Sequence, residues 1–242
     1  MTIDFCLPAK DEERILAINA NRLYNYLQSL NLSYDWKIVI LVNGSSDSSW
    51  EIARALERSN NFFQAELLEL RGKGRALKTY FNKSQADILI FMDIDLAVSL
   101  DSLPKLIQSV TVESCDLVIG SRLIAGAHTD RSFWRSFTSH CYNFLSRLIL
   151  GHHFFDLQCG FKAVKRSLFN KLSLYLVNDS WFFDTELVIF SLLMDAKIKE
   201  LPVDWQENRY NERKSKIKVM RDAWSFIFNL LLLRYRLGRI KH

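Results

Sequence analysis

Proline and glycine are scarce, three and eight among 242 residues. No flexible linker, low-complexity tract or solenoid-period repeat is visible, which argues against linked modules or an array. Cysteine is sparse too. Cys6, Cys115, Cys141 and Cys159 stand far apart with no C-x-x-C pair, so neither a zinc knuckle nor a dithiol redox motif is present. Reduced, partly buried thiols of a cytosolic compartment are expected. Met1-Thr2-Ile3-Asp4-Phe5-Cys6 lacks a basic segment followed by an apolar one, and no signal peptide is expected. The most apolar segment, Trp224 to Leu233, has ten residues, against the roughly 20 a spanning helix needs.

The composition that remains is globular: 49% hydrophobic and 24% charged, enough apolar material for a sizeable core. One domain over 1–215 with an appendage over 216–242 is the expected organisation. Net charge is +5, and from Asn208 onward Lys and Arg far outnumber Glu212 and Asp222. That local excess points to an anionic surface, membrane or nucleic acid.

Residues 3–8 read as a strand and 11–30 as a helix, with Asp11, Glu12 and Glu13 in its first turn to suit the helix dipole. Lys37 to Val42 is a second apolar strand. It is followed by Asn43-Gly44-Ser45-Ser46-Asp47-Ser48-Ser49 and a helix from about Trp50, with an N-cap at Asp47 or Ser48. A strand over about 65–70, a helix over 74–84, the run Ile88 to Met92, a helix near 101–112 and a strand over 116–120 continue the alternation, which weakens after 122. Strands and helices at this spacing predict a doubly wound α/β sheet.

The most informative feature is Asp93-Ile94-Asp95 at the end of Ile88-Leu89-Ile90-Phe91-Met92. The apolar run reads as a buried parallel strand, and ligands bind past the carboxyl ends of such strands. Alternation along an extended chain points Asp93 and Asp95 one way and Ile94 into the core. Two converging carboxylates repel, and a hard divalent cation, Mg2+ or Mn2+, shared with substrate phosphates relieves them. The same residues also suit an ordinary strand-end turn. Arg71-Gly72-Lys73-Gly74-Arg75 is basic and glycine-rich before a helix, and so able to approach phosphate closely. It lacks the spacing of a P-loop. His128, His140, His152 and His153 show no metal spacing.

In order along the chain, Leu7-Pro8-Ala9-Lys10-Asp11-Glu12-Glu13, Asn43-Gly44-Ser45-Ser46-Asp47, Gly72-Lys73-Gly74-Arg75-Ala76 and Asp93-Ile94-Asp95 resemble the L-P-A-x-N-E-E, D-[DN]-G-S-x-D, G-K-G-x-A and metal motifs of family-2 glycosyltransferases. Gly120-Ser121-Arg122, Asp156-Leu157-Gln158-Cys159-Gly160-Phe161-Lys162, Trp181-Phe182-Phe183-Asp184-Thr185-Glu186, Pro202-Val203-Asp204-Trp205 and Ser215-Lys216 resemble its polyprenyl-phosphate branch, the dolichyl-phosphate mannose and glucose synthases. The similarity runs from about residue 3 to 220. It implies a GT-A fold, Rossmann-like with a mainly parallel sheet flanked by helices. It departs at Val42, at Lys10-Asp11 and at Ala97, where mannose synthases often have a Gln that completes the metal shell.

The resemblance implies transfer of a hexose, with inversion, from a nucleotide sugar of the UDP-glucose or GDP-mannose type to a polyprenyl or dolichyl phosphate. Asp93 and Asp95 are its metal candidates. Asp95, Arg122 and Asp184 are the catalytic candidates. Pro8, Ala9, Glu12, Asn43, Gly44, Ser45, Lys73, Asp93, Gln158 and Glu186 fall on the donor side. Arg122, Arg131, Arg135, Ser139, Arg209 and Lys216 are candidates for acceptor phosphate, where guanidinium matches phosphate bidentately. A phosphate acceptor is already ionised near neutrality and requires no base, whereas a saccharide hydroxyl would call on Asp184 or Glu186.

The apolar segment from Trp224, collared by Arg221, Arg234, Arg236, Arg239 and Lys241, is expected to form an amphipathic helix in the interface of an anionic leaflet. Residues 133–150 offer a second such surface; either segment also suits a core helix, and the one from Trp224 a dimer contact. The expected setting is cytoplasmic, peripheral to the membrane, without nucleic acid. A saccharide-hydroxyl transferase on the same fold and an inactive nucleotide-sugar binder are the competing readings.

Overall fold

The computed structural model describes residues 1–130, 133–206 and 219–240, with side chains omitted at 133–135 and 219–224. Strands β1 (Thr2–Ala9), β2 (Asp35–Asn43), β3 (Phe63–Leu68), β4 (Ile88–Met92) and β5 (Leu117–Ser121) alternate with helices α1 (Leu16–Ser29), α2 (Ser49–Ser59), α3 (Lys73–Lys83) and α4 (Leu103–Thr111). The chain continues through β6 (Thr129–Asp130), α5 (Phe133–Leu150), β7 (Phe161–Lys165), α6 (Arg166–Leu172), α7 (Phe183–Leu193), β8 (Ile198–Pro202), β9 (Trp205–Gln206) and α8 (Val219–Ile240).

The main sheet runs β3-β2-β1-β4-β7-β5-β8, and β6 pairs with β9 in a small second sheet. All neighbours in the main sheet are parallel except β7, which is antiparallel to both β4 and β5. That single reversal matters for function. A strand antiparallel to its neighbours begins at the edge where they end, so Phe161 pairs with Met92 and Gly160 is delivered beside Asp93. The carboxyl ends of β1, β2, β4, β5 and β8 share this edge.

Alternation along β4 builds both faces of the core. Ile88, Ile90 and Met92 pack beneath residues of α1 and α4 such as Leu16, Leu23, Leu103 and Leu106. Leu89 and Phe91 enter the opposite layer with Leu77 and Phe81 of α3, Phe183 and Phe190 of α7, and Leu230, Leu233 and Leu237 of α8. Each fully buried Phe or Leu of this kind contributes about 1.5–3 kcal/mol. Among the described residues, no helix is long and apolar enough to cross a membrane.

Two local expectations change. Helix α1 begins at Leu16, with no acidic residue in its first turn. Asp11 and Glu13 serve α2 and the turn before it: Asp11 Oδ1 accepts the Ser46 amide at 2.8 Å and Glu13 Oε2 the Ser48 amide at 3.0 Å. The dipole argument holds, but for the next helix. The exposed apolar side chains of α8 also differ from a simple two-sided pattern. Leu230, Leu233 and Leu237 are buried against the domain, whereas Phe228, Leu231, Leu232 and Tyr235 on the opposite face are exposed.

Candidate active site

Asp93 and Asp95 line one cleft with Ala97, Arg122, Gly160 and Trp205. Their convergence has a different origin from strand alternation. The Leu96 amide donates to the Asp93 carbonyl at 3.0 Å, and Leu96 has φ +48°, so the two carboxylates are joined by a turn. Ile94 at its centre is 2% exposed, as expected, and the buried Asn19 side chain locks the turn by donating to the Ile94 carbonyl at 2.8 Å. Burial pushes the Asp93 carboxyl up, Lys73 opposes it, and the charges of Asp95 and Asp184 push it further up. This is a crowded anionic pair of oxygen donors, the set a hard divalent cation accepts. Asp93 and Asp95 therefore fit such an ion.

Behind Asp93 lies a row of alternating charge. Lys73 Nζ is 3.0 Å from Asp93 Oδ1 and 3.0 Å from Asp184 Oδ2, and Lys162 Nζ donates to the other Asp184 oxygen at 2.5 Å. Lys162 and Asp184 are fully buried and Lys73 nearly so, while the Asp93 side chain is 39% exposed to the cleft. Burial alone would lower the Lys73 ammonium, but Asp184 and Asp93 outweigh it and raise it. Gly72 opens α3 with φ +144° beside the Asp179 carbonyl, a conformation and an approach that exclude a side chain.

Arg122 is equally constrained. Its Nε and Nη2 donate to Asp156 at 2.6 and 2.9 Å, and its amide donates to the same carboxylate at 3.1 Å. Burial would lower the guanidinium, but Asp156 outweighs it and raises it. Asp156 itself is held below the usual carboxylate range, its burial overcome by Arg122. Trp205 stacks within 6.0 Å of the guanidinium carbon, and Glu200 on β8 fixes the loop by accepting the Phe155 and Asp156 amides.

The remaining candidates divide. Pro8 and Ala9 end β1, and Asn43 donates to the Ala9 carbonyl at 2.9 Å and accepts the Gly72 amide at 3.0 Å, tying the β1 edge to the start of α3. Gly44 donates to Leu68, Ser45 accepts the Asp11 amide, and the Glu12 amide bonds Ser49. Gln158 donates to Thr185 Oγ1 at 2.5 Å. Glu186, expected on the donor side, faces elsewhere: it pairs with Arg236 of α8 and accepts the Asn178 amide at 2.8 Å. Ser139 and Arg135 lie on α5; Arg131, Arg209 and Lys216 lie outside the described residues. Sequence reasoning assigned no role to Lys162, Asn19 or Glu200. Lys162 alone carried a signal, a lysine inside a strand otherwise reading as apolar.

The mainly parallel sheet, with two carboxylates and an anchored arginine at its carboxyl edge, is the arrangement that the GT-A resemblance implies. The chain belongs to the glycosyl transferase family 2, whose family model matches residues 4–173. It is 30% identical over 224 residues to glycosyltransferase AglD of Haloferax volcanii, covering 91% of this chain and 35% of that protein. It is 26% identical to the dolichyl-phosphate beta-glucosyltransferase of Drosophila melanogaster, covering 100% of this chain and 79% of that one. The Saccharomyces cerevisiae dolichyl-phosphate beta-glucosyltransferase is 29% identical, covering 84% and 66%. The chain thus spans about a third of AglD, 79% of the Drosophila protein and 66% of the yeast one. In structure it is similar to glucosyl-3-phosphoglycerate synthase from Mycobacterium tuberculosis in complex with Mn2+, UDP and glucosyl-3-phosphoglycerate. The TM-score there is 0.66 at 18% identity, covering 96% of this chain and 79% of that one.

Proposed function

We propose that this chain transfers a hexose, with inversion, from a nucleotide sugar to a polyprenyl phosphate at a cytosolic membrane face. The observation that carries the reading is the state of the carboxylates. Asp184 is closed between Lys73 and Lys162, and Glu186 is closed by Arg236. Neither is placed to take a proton from a sugar hydroxyl. An acceptor that needs no base fits this site better, and a phosphate monoester, with a second pKa of about 6, is already ionised. The names of the dolichyl-phosphate beta-glucosyltransferase relatives support the same acceptor class.

Asp93 and Asp95 would hold Mg2+ or Mn2+, which supplies Lewis-acid neutralisation of the charge that grows on the departing diphosphate. The neighbour bound to Mn2+ and UDP supports that assignment. Lys73, 3.0 Å from Asp93, adds a positive charge on the same side. Arg122, its rotamer set by Asp156 and Trp205, presents its remaining guanidinium edge to the acceptor phosphate. An acceptor oxygen attacks the anomeric carbon from the face opposite the diphosphate; the new C–O bond forms as the bond to the diphosphate breaks. Asn43 acts by holding the β1 edge against the start of α3. Val42 is fully buried in the core, so its departure from the family motif is a packing feature.

The test is incubation with labelled UDP-glucose or GDP-mannose, Mg2+ or Mn2+, and polyprenyl phosphate. Organic-extractable label is expected, reduced by about two orders of magnitude or more in Asp95→Ala, within the range for lost electrostatic stabilisation. No extractable label with either donor overturns the proposal; label transferred only to free saccharides favours the hydroxyl-acceptor reading.

A further inference from the structure

Lys73 occupies a position that is hard to explain as ordinary ion pairing. Its ammonium is buried between the Phe91 and Trp181 rings, 5.4 and 5.1 Å from their centroids. It is ion-paired at 3.0 Å with carboxylates on two sides, with imperfect hydrogen-bond alignment at the ammonium and at Asp184 Oδ2. A buried ammonium whose two acceptors are imperfectly aligned forgoes part of its hydrogen-bonding energy, and an acceptor that aligns better draws it away. The better acceptor is a diphosphate, with several anionic oxygens for a compact point charge.

The charge balance shows what that movement would do. Lys162, Asp184, Lys73 and Asp93 sum to zero as they stand. If Lys73 turns toward an incoming diphosphate, Asp184 loses one of its two pairs, but Lys162 still neutralises it at 2.5 Å, and the buried interior keeps a balanced charge. Asp93, half-exposed to the cleft beside Asp95, is left with its full charge. We propose that Lys73 is a stand-in cation: it neutralises Asp93 until a nucleotide diphosphate draws it away, so that a divalent ion binds tightly only together with nucleotide. The inference rests on the cation site of the proposed function and adds the order in which that site becomes available. By linkage, the nucleotide and the ion must strengthen each other's binding equally.

The experiment measures free Mn2+ by electron paramagnetic resonance, with no turnover, in the wild-type chain, Lys73→Met and Asp93→Asn. Each is titrated with MnCl2 alone and with saturating UDP or GDP. Wild type is expected to bind Mn2+ about tenfold tighter with nucleotide. Lys73→Met is expected to bind Mn2+ without nucleotide about tenfold tighter than wild type, with the nucleotide effect shrinking to about threefold or less. Asp93→Asn should lose tight binding in both conditions. Equal or weaker nucleotide-free Mn2+ binding by Lys73→Met overturns the proposal, as does the absence of Mn2+ binding throughout. Removing Lys73 leaves the Lys162–Asp184 pair neutral, so the fold should survive; Lys73→Gln repeats the measurement if the Met variant does not fold. A protein that transfers hexose but whose Mn2+ affinity ignores Lys73 rejects the stand-in role alone. The expected Mn2+ behaviour without any transfer rejects the transferase reading alone.

Discussion

Gly160 has no room for a side chain, and the reason is the cleft. A Cβ built there would overlap the Asp93 carboxylate, while the Gly160 carbonyl accepts the Asp93 amide at 3.1 Å. The glycine is therefore a consequence of where Asp93 must sit. Gly160→Ala is expected to displace the Asp93 side chain and to cost about 1–3 kcal/mol, the range for forced overpacking. Transfer activity should fall far more than that stability loss explains, by about a hundredfold. Urea denaturation and the labelled-donor assay, run on one preparation, separate the two effects. Wild-type activity in Gly160→Ala would mean that the position of Asp93 is not critical.

At the scale of elements, the contact that most needs explanation is α7 with α8. Arg236 pairs with Glu186, which is 2% exposed, and also donates to the Tyr175 carbonyl. Truncating the arginine leaves a buried carboxylate uncompensated, a loss of about 3–5 kcal/mol. Arg236→Met should therefore lower the urea midpoint sharply, and adding Glu186→Gln should restore much of it. A single variant within about 1 kcal/mol of wild type would show the pair to be a surface contact. Glu186 also marks where sequence reasoning stops. Its spacing from Asp184 is visible in the chain, but i and i+2 on a helix face different directions, and only packing decides that one meets Lys73 and the other α8. Strands β1, β2, β4 and β5 were legible because their apolar runs are bounded by turns and largely buried on both faces; β3, with Leu67 exposed, was expected two residues late. Strand β7 was not, because Lys162 breaks its apolar pattern, and a buried lysine is intelligible only once Asp184 stands opposite. Asp93 and Asp95 were singled out by their place past a buried strand, and the structure puts both on one cleft. The turn that joins them depends on Leu96 in a left-handed conformation and on Asn19 some seventy residues earlier. Asp11 and Glu13 were assigned to the wrong helix because the dipole rule names a helix end, not which one.

The whole molecule presents two helices with apolar rows outside the core. On α5, Phe137, Phe144 and Leu148 are exposed at helical spacing, and on α8 Phe228, Leu231, Leu232 and Tyr235 are exposed opposite the buried leucines. The helices pack on one another, with Tyr142 and Phe226 edge to face at 5.1 Å. Arginines at 234 and 239 accompany the α8 row, and an anionic leaflet attracts such residues by about 1 kcal/mol each. A lipid-borne acceptor makes membrane docking through this side the natural extension of the proposed chemistry. Phe228→Ser, Leu231→Ser and Tyr235→Ser together touch none of the buried leucines, so thermal stability should hold. Each lost apolar contact is worth about 1 kcal/mol when the side chain is only partly inserted. Three of them should weaken binding to phosphatidylcholine–phosphatidylglycerol vesicles by about a hundredfold. Co-sedimentation measures this, and raising the salt should weaken the wild-type chain as well, since part of the attraction is screened. Vesicle binding unchanged in the triple variant would place the lipid-facing surface elsewhere on the molecule.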